Sequence, residues 1–455
     1  MYKESFYNFK KNFVNGEMMI YNSKSGAVAV VDQEHYEEIN NILNFPEKNV
    51  ESEYFEILYL QGFLVDKEED ELQVIRNRYE NGQKNDNYIK IVMLPAEFCN
   101  LACPYCFIWN YREKKMKPEV YSSVIKYLDK KLSNPSEKKK VIEISWYGGE
   151  PLLMSQEIYD FMKKLISEFI DRAEVKASII TNGYYLSQSC FNELYINNVR
   201  MFQVTFDGAK ESHDVTRKLK DGSGGTFDTI MDNIKAIKNS ITDELQFEMA
   251  IRINFMKNTY KAVYGLIDEL SEIINGDKRF IIYCRPIYNF ETERKDIENI
   301  QDDIFTIEEG LQKQTEFTLY IANKLNRKET IRSISDYLPL PATRWCGEDS
   351  LSNIIVGYDG SIYFCDTLIG DEQFCVGILK EDGSIDYNEK NAEWRKSIFD
   401  MENIEQCIKC KCLPTCMGCC KRERIYLKNA MPCLYKEKDI YNYMQVYYEN
   451  EYKNS

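Results

Sequence analysis

Short apolar runs alternate with longer amphipathic segments between about residues 88 and 289. The apolar runs are typical of buried strands, whereas the segments between them repeat their apolar residues at helical spacing. Strict alternation of strand and helix predicts a parallel sheet with right-handed crossovers, and therefore an α/β fold. The predicted strands are residues 88–94, 141–146, 175–181, 201–206, 247–255 and 280–285, and the predicted helices are 118–133, 155–170, 187–197, 226–239 and 259–274.

The first 85 residues have a different pattern, in which a hairpin is followed by helices. The turn signal Ser23–Gly26 separates two strand-like runs, and the polar segment 78–87 is predicted to be a linker. This order of elements predicts a winged-helix-like unit. Its predicted elements are strands 17–22 and 27–31, a helix that Asp32 caps and that extends to about residue 43, a helix over about 50–60, and a short strand at 63–65.

A helical segment over about 305–328 precedes a cysteine-rich C-terminal region. Within that region the run from Val356 to Cys365 predicts a hairpin with an Asp-Gly turn. The predicted domains are therefore residues 1–85, with the linker at their end, 86–330 and 331–455.

Composition indicates an ordinary globular protein, because 44% of the 455 residues are hydrophobic and 29% are charged. The net charge of −15 argues against nucleic acid or an anionic membrane as a partner. No apolar run approaches the length of a membrane span, and no secretory h-region is present. We therefore expect a cytoplasmic protein.

Cysteine and histidine usage narrows the chemistry. Fifteen cysteines in a cytoplasmic chain favour metal ligands over disulfides. His35 and His213 are the two histidines, which leaves little room for histidine-based catalysis or metal binding and predicts surface or packing roles for both.

A compact group of three cysteines, Cys99, Cys103 and Cys106, follows the first predicted strand with the spacing C-x3-C-x2-C. Three thiolates can bind three irons of a cubane cluster, which ordinarily takes four cysteines. The fourth iron would then be open to a substrate or cofactor. A zinc half-site is the alternative, although zinc sites usually show C-x2-C pairs.

The cysteine spacing, with Tyr105 directly before the third cysteine, resembles the signature of the radical S-adenosylmethionine (SAM) superfamily. The resemblance implies a partial (β/α)6 barrel in which SAM binds the open iron of a 4Fe–4S cluster. It also implies that the reduced cluster cleaves SAM to a deoxyadenosyl radical.

Further motifs fall where the predicted strands end, the edge at which sites of parallel sheets gather. The family resemblance implies that Gly148, Gly149 and Glu150 bind the SAM amino group. It places Thr181, Asn182 and Asp207 near the ribose and methionine moieties. Arg252 and Asn254 alternate on the fifth strand and so face one way. Arg252 is predicted to pair with the SAM carboxylate, with a structural ion pair as the alternative.

The C-terminal cysteines resemble the SPASM domain, which carries auxiliary clusters in radical SAM maturases. The resemblance assigns one 4Fe–4S cluster to Cys407, Cys410, Cys416 and Cys433, and a second to Cys346, Cys365 and Cys420. The second set lacks a fourth cysteine and predicts an open iron, unless an unassigned cysteine (Cys375, Cys412 or Cys419) completes it. A zinc ribbon over 407–433 is the alternative. With the SAM-binding cluster, three 4Fe–4S clusters are expected.

These resemblances imply a maturase that forms thioether cross-links in a ribosomally made peptide of the sactipeptide or ranthipeptide type. The N-terminal unit would bind the leader of the precursor peptide at a sheet edge, and an external flavodoxin or ferredoxin would supply electrons. An anaerobic sulfatase-maturating enzyme, which forms formylglycine, is the first alternative, with Asp366 as its base. Peptide epimerisation and carbon–carbon cross-linking stay open. A non-catalytic iron–sulfur carrier is the alternative outside enzymes.

Overall fold

The structure, a computed structural model, describes residues 1–84, 87–106, 108, 113–133, 139–288, 300–326, 338–347, 349–426, 428, 433 and 435–452. The chain forms two compact units. We call residues 1–85, 330–351 and 392–455 the terminal unit, and residues 86–329 and 352–391 the barrel unit. The three predicted domains do not map one to one onto these units, because residues 352–391 belong with the barrel.

The N-terminal part of the terminal unit contains the predicted hairpin with further strands around it. Its elements are β1 (Tyr2–Glu4), β2 (Asn8–Asn12), β3 (Met18–Asn22), β4 (Val28–Val31), α1 (Tyr36–Asn44), α2 (Glu53–Leu60), β5 (Leu64–Asp66) and α3 (Glu71–Gln83). Strands β2, β3 and β4 form an antiparallel sheet in that order, and β1 pairs with β5.

Two local predictions in this region are wrong. Helix α1 begins at Tyr36 rather than after Asp32, because the Asp32 carboxylate accepts a hydrogen bond from the His35 amide at 2.9 Å and so caps the turn before the helix. The predicted linker 78–87 is largely the end of α3. Asp70 caps that helix through the Gln73 amide, and Ile75 and Tyr79 on its inner face are fully buried. Residues 85 and 86 lie outside the described part.

The barrel unit follows the predicted alternation, and the predicted α/β class is confirmed. Its elements are β6 (Tyr88–Ala96), α4 (Pro118–Leu132), β7 (Lys140–Gly148), α5 (Ser155–Phe169), β8 (Ala173–Thr181), α6 (Gln188–Ile196), β9 (Val199–Phe206), α7 (Lys210–Thr216), α8 (Phe227–Ser240), β10 (Glu248–Phe255), α9 (Val263–Ile274), β11 (Phe280–Pro286), α10 (Ile307–Lys324), β12 (Asn353–Val356), β13 (Ser361–Tyr363), β14 (Gly377–Leu379) and β15 (Ile385–Tyr387). The described residues contribute ten strands to one sheet, in the order β11-β10-β9-β8-β7-β6-β12-β13-β14-β15.

Burial explains why these segments are strands and helices. Strand β6 buries Ile89, Ile91 and Met93 completely on one face and Leu94 completely on the other, as expected for a parallel strand covered on both sides. Helix α5 buries one stripe, with Ile158, Met162 and Leu165 at helical spacing. Strands β6 to β11 are parallel, so their C-terminal ends meet at one edge.

Three features of the barrel unit differ from the predictions. Helix α7 was not predicted. Strands β12 and β13 form the predicted hairpin, but β12 also pairs in parallel with β6 and so extends the sheet. The predicted helix 305–328 corresponds to α10, and its last two residues lie outside the described part.

The C-terminal part of the terminal unit has short helices, α11 (Leu413–Cys416), α12 (Lys421–Ile425) and α13 (Glu437–Tyr447). Met19 and Tyr21 of β3 pack with Ile440 and Met444 of α13 in one buried cluster. Among the described residues, no helix has both the length and the apolar character needed to cross a bilayer.

Candidate active site

A cavity of about 460 Å³ opens at the C-terminal ends of the barrel strands. It lies wholly within the barrel unit. It brings together most of the predicted site residues: Cys99, Cys103, Tyr105, Cys106, Gly148, Gly149, Thr181, Asn182, Arg252, Asn254 and Asp366. Glu150 and Asp207 are not among the lining residues and lie directly behind them.

The loop that carries the cysteines is fixed by the two glycines after β7. The Gly149 amide donates to the Ala96 carbonyl at 3.0 Å, and the Glu150 amide donates to the Phe98 carbonyl at 3.0 Å. A Cβ atom at Gly149 would lie 2.2 Å from the Phe98 carbonyl oxygen. Gly148 has a φ of +122°, which favours glycine. The glycines therefore allow the segment after β7 to form backbone hydrogen bonds with the end of β6 and the segment that follows it.

The three cysteines of this loop are partly buried and line the cavity. The Leu101 amide donates to Cys99 Sγ at 3.3 Å, and Asn182 Nδ2 lies 3.6 Å from the same sulfur. Burial raises the pKa of Cys99 to about 12 and also raises the pKa of Cys103. Thiols in such surroundings stay protonated unless a metal displaces the proton.

Within the described ranges, no three histidine, cysteine or carboxylate side chains converge on a point that would hold a single metal ion. The thiolates of a cubane cluster each bind a different iron. A cluster therefore does not need its thiolates to converge in this way.

Glu150 is buried with 0% exposure and joins two strand ends. Its carboxylate accepts hydrogen bonds from Thr181 Oγ1 at 2.7 Å, the Asn182 amide at 2.7 Å and the Leu152 amide at 2.9 Å. Burial raises the pKa of Glu150, and these hydrogen bonds oppose that rise. The carboxylate holds the segment after β8 in place, a role that the sequence did not predict.

Behind the cysteines, Tyr105 is the centre of a buried polar network. Its hydroxyl donates to Asp207 and accepts from Arg217 Nη1 at 3.0 Å and from Asn254 Nδ2 at 3.3 Å. Asn254 Nδ2 also donates to Asp207 Oδ1 at 3.1 Å, and Thr216 Oγ1 donates to Asp207 Oδ2 at 2.7 Å. Strands β9 and β10 thus hold the middle of the cysteine loop through side chains.

Arg217, at the end of α7, is a site residue that the sequence analysis missed. Its guanidinium lies 3.8 Å from Asp207 and is 8% exposed. Burial alone would lower the pKa of Arg217, but Tyr105, Cys103 and Asp207 hold it well above its ordinary value. The sequence does not show whether an arginine is buried or exposed. The one feature that could have indicated a site residue is that Arg217 lies between two predicted motifs, Asp207 and the glycine-rich run 222–225.

His213 supports this network from behind. The Asp207 amide donates to His213 Nδ1 at 3.3 Å, so Nε2 carries the proton and donates to Thr226 Oγ1 at 3.0 Å. Thr226 Oγ1 donates in turn to the Arg217 carbonyl at 2.7 Å. Burial lowers the pKa of His213 to about 4. The packing role predicted for this histidine agrees with its complete burial, whereas His35 is exposed.

Arg252 and Asp366 lie on the wall of the cavity. Arg252 Nε donates to Asn254 Oδ1 at 2.8 Å. No carboxylate among the described residues lies within ion-pairing distance of Arg252, so the structural ion pair has no partner there. Asp366 follows Cys365 at the end of the β12–β13 hairpin, which pairs with β6. Burial raises the pKa of Tyr147, and the nearby Asp366 contributes to the rise.

The remaining predicted cysteines are distributed over both units. Cys407, Cys410, Cys416 and Cys433 belong to the terminal unit, as do Cys346 and Cys420, whereas Cys365 belongs to the barrel unit. Cys412 and Cys419 are buried in the terminal unit. Both cluster assignments from the sequence stay predictions.

Comparisons with known proteins bear on the class of the domain. The family model described as the radical SAM superfamily matches residues 93–270. A cysteine-type anaerobic sulfatase-maturating enzyme of Clostridium perfringens (strain 13) is 25% identical over 359 residues, which is 74% of this chain and 90% of that protein.

Two solved structures show the same fold. Native anSMEcpe with bound AdoMet matches with a TM-score of 0.54 and 20% identity, over 79% of this chain and 96% of that one. Streptococcus suis SuiB bound to precursor peptide SuiA matches with a TM-score of 0.51 and 15% identity, over 95% of this chain and 98% of that one.

Together with the parallel sheet and the cysteine-lined cavity, these matches define residues 93–270 as part of a radical SAM domain, and the protein is an enzyme. Its fold is that of anSMEcpe and SuiB. The alternative of a non-catalytic iron–sulfur carrier is wrong.

A radical SAM domain uses SAM and a 4Fe–4S cluster, and the residues around the cavity fit such groups. Two buried nitrogen atoms at this site, Asn100 Nδ2 and Arg217 Nε, have no hydrogen-bond partner among the described residues. Buried polar atoms are rarely left unpaired. Gly148 and Gly149 also line the cavity, so their backbone borders the space that a cofactor would occupy.

Proposed function

We propose that this enzyme oxidises a cysteine-containing peptide and forms a thioether cross-link in it. The observation that carries the proposal is the cavity at the C-terminal ends of the barrel strands, which is lined by the cysteine triad, Arg252 and Asp366. Its relatives support a peptide substrate, since one is named for maturing sulfatases and another was solved with a precursor peptide.

Cys99, Cys103 and Cys106 would hold the cluster, and Arg252 would bind the carboxylate of SAM through a charge-assisted hydrogen bond. When bound, these cofactors supply a carbon radical that removes a hydrogen atom from the substrate. Tyr105 and Asp207 keep the cysteine loop in register with the strands. Ile108, Ile180 and Ile287 are apolar lining residues of the cavity, and they would limit the access of water to the substrate radical.

Thioether formation is a net oxidation. A C–H and an S–H bond break, a C–S bond forms, and two hydrogens leave the peptide. One hydrogen leaves as an atom, and the other as a proton with an electron. The electron needs an acceptor, and an auxiliary 4Fe–4S centre held by Cys407, Cys410, Cys416 and Cys433 would supply one. A flavodoxin or ferredoxin would supply the electron that starts the reaction.

The N-terminal sheet is proposed to bind the leader of the precursor peptide. Strands β2 and β4 are the edges of the β2–β3–β4 sheet, and edge strands present unpaired backbone groups to which a peptide strand can add. The precursor peptide bound to SuiB supports this proposal.

Formylglycine formation is a second candidate, which the position of Asp366 favours. In this reaction a cysteine CH2–SH group becomes an aldehyde, water supplies the oxygen, and sulfide and two hydrogens leave. A carboxylate in the cavity is suited to take the thiol proton. The 25% identity to a cysteine-type sulfatase-maturating enzyme supports this candidate.

The test is anaerobic incubation with SAM, dithionite and a cysteine-containing peptide encoded beside the gene, followed by mass spectrometry. Thioether formation predicts loss of two hydrogens per link together with one alkylatable thiol. Formylglycine formation predicts replacement of sulfur by oxygen and reaction with an aldehyde probe, and it predicts that Asp366→Asn abolishes the product while the exposed Asp382→Asn does not. A product that has lost two hydrogens while every thiol stays alkylatable would rule out both.

A further inference from the structure

Arg424 is a buried cation next to one of the C-terminal cysteines. It lies on α12 with 2% of its surface exposed. All three guanidinium nitrogens donate hydrogen bonds: Nε to the Gly418 carbonyl at 2.8 Å, Nη1 to the Asn403 carbonyl at 2.7 Å, and Nη2 to Cys407 Sγ at 2.7 Å. The side chain is therefore held rigidly between two loops and a sulfur atom.

The guanidinium places a positive charge next to this sulfur. A guanidinium stays protonated in proteins, and its Nη2 donates directly to Cys407 Sγ. Cys407 is 6% exposed and packs among Ile398, Met401 and Ile404. Attraction between a guanidinium and a thiolate is strong in such an apolar setting.

Other thiols complete the surroundings. The thiols of Cys410 and Cys433 lie near Cys407. Four thiolates around a 4Fe–4S core give the centre a net negative charge. Hydrogen bonds to the sulfurs and nearby charge are what set the potential of such a centre.

We infer that Arg424 is a positioning residue for the auxiliary 4Fe–4S centre: it fixes the Cys407 thiolate and raises the reduction potential of that centre. The sign follows from charge. One electron from the reductant makes the centre more negative, so a positive donor stabilises the reduced form more than the oxidised form. The inference rests on the auxiliary centre of the proposed function, but not on the peptide or the bond formed.

The test is a potentiometric titration, followed by electron paramagnetic resonance, of full-length protein purified without oxygen and reduced with dithionite. Cys407→Ser identifies the signal of this centre by removing it. Arg424→Gln is expected to keep the iron and sulfide content and to lower the potential. The expected size is about a tenfold change in the one-electron equilibrium, or about 59 mV.

Arg424→Lys, which keeps the positive charge, is expected to recover most of the shift even if Arg424→Gln folds poorly. Arg78→Gln is the matched control, because Arg78 of the same unit donates to the Lys24 carbonyl at 3.0 Å and to no sulfur that the structure describes. Its potential should equal that of the wild type.

Three results would overturn the inference. An unchanged potential in both Arg424 variants would do so and would leave the proposed function standing. An iron content unaffected by Cys407→Ser would remove Cys407 as a ligand. Zinc in place of iron at this site would overturn the auxiliary centre as well.

Discussion

At the scale of single residues, the position of the cysteine loop depends on the absence of a side chain at Gly149. The backbone after β7 passes so close to the loop that the Gly149 amide bonds to Ala96 and a Cβ atom there would overlap the Phe98 carbonyl. Backbone cannot yield as a flexible side chain does. Cys99, directly after Phe98, is therefore placed by packing at Gly149.

We predict that Gly149→Ala displaces this loop and lowers cluster occupancy. Iron counting after anaerobic reconstitution should show the loss of about one cluster, and SAM binding measured by equilibrium dialysis should fall at least tenfold. Gly265→Ala is the control, since Gly265 lies in α9 with nothing within 4 Å of an added Cβ. It should keep both properties and add up to about 1 kcal/mol of stability. Wild-type iron content and SAM affinity in Gly149→Ala would contradict this account.

The residues that line the cavity were predicted better from the sequence than the buried residues that hydrogen-bond to them and fix their positions. The spacing of Cys99, Cys103 and Cys106 and the alternation of Arg252 with Asn254 place side chains on one edge without any knowledge of contacts. Arg217 escaped prediction because its burial arises from the packing of α7, which no periodic pattern indicated. The hydrogen bonds that the Glu150 carboxylate accepts from Thr181 and Asn182 could not be predicted from the sequence, and its contact with SAM stays a prediction.

At the scale of elements, a relay joins the end of β9 to α7 and α8. It passes from the Asp207 amide through His213 and Thr226 to the Arg217 carbonyl. Each group donates once in one direction, so the relay requires a neutral imidazole. A second proton on His213 would face the Asp207 amide, which is itself a donor.

We predict an acid-dependent loss of stability from His213. Its pKa is lowered from 6.5 to about 4, so between these values the unfolded chain takes up a proton that the folded chain does not. The stability that His213 contributes is therefore present above about pH 6.5 and falls as the pH drops toward 4, by up to about 1.4 kcal/mol per pH unit. Urea unfolding of wild type and His213→Gln should show free energies of unfolding that approach each other over this range.

His35 provides a control of opposite sign. The hydrogen bond to Asp32 raises the pKa of the exposed His35, so its contribution is present below pH 6.5 and is lost as the pH rises. The free energies of unfolding of wild type and His35→Gln should therefore not approach each other as the pH falls. A constant difference between wild type and His213→Gln from pH 7 to pH 4 would refute the relay.

The barrel elements were predicted to within a few residues because each strand or helix carries its own periodicity. Strand β9, for example, was predicted at 201–206 and is found at Val199–Phe206. The pairing of β12 with β6 was not predictable in this way, since it joins segments more than 250 residues apart. That pairing carries the β12–β13 hairpin, with Asp366 after it, to the cavity.

At the scale of the whole molecule, residues 1–85 form one compact unit with residues 330–351 and 392–455. Met18 and Ile20 face a local core with Ile42 and Phe63. The opposite face of the same strand, Met19 and Tyr21, is buried by residues of the C-terminal helix α13. The uninterrupted apolar run Met18–Tyr21 is the sequence signal of a strand buried on both faces, and it argues against an isolated N-terminal unit.

We therefore predict that residues 1–85 do not fold when expressed alone. Such a fragment exposes Met19, Tyr21 and Tyr79. In the full chain, Tyr79 packs against Phe399, and its hydroxyl donates to Asp349 Oδ1 at 2.9 Å. It should bind a hydrophobic dye and melt without a cooperative transition in circular dichroism. In the full chain, Tyr79→Ala should cost about 3–5 kcal/mol, whereas Leu60→Ala, at a position 72% exposed, should cost about 0.5 kcal/mol or less. A monomeric fragment with a sharp melting transition would instead establish an independent N-terminal domain.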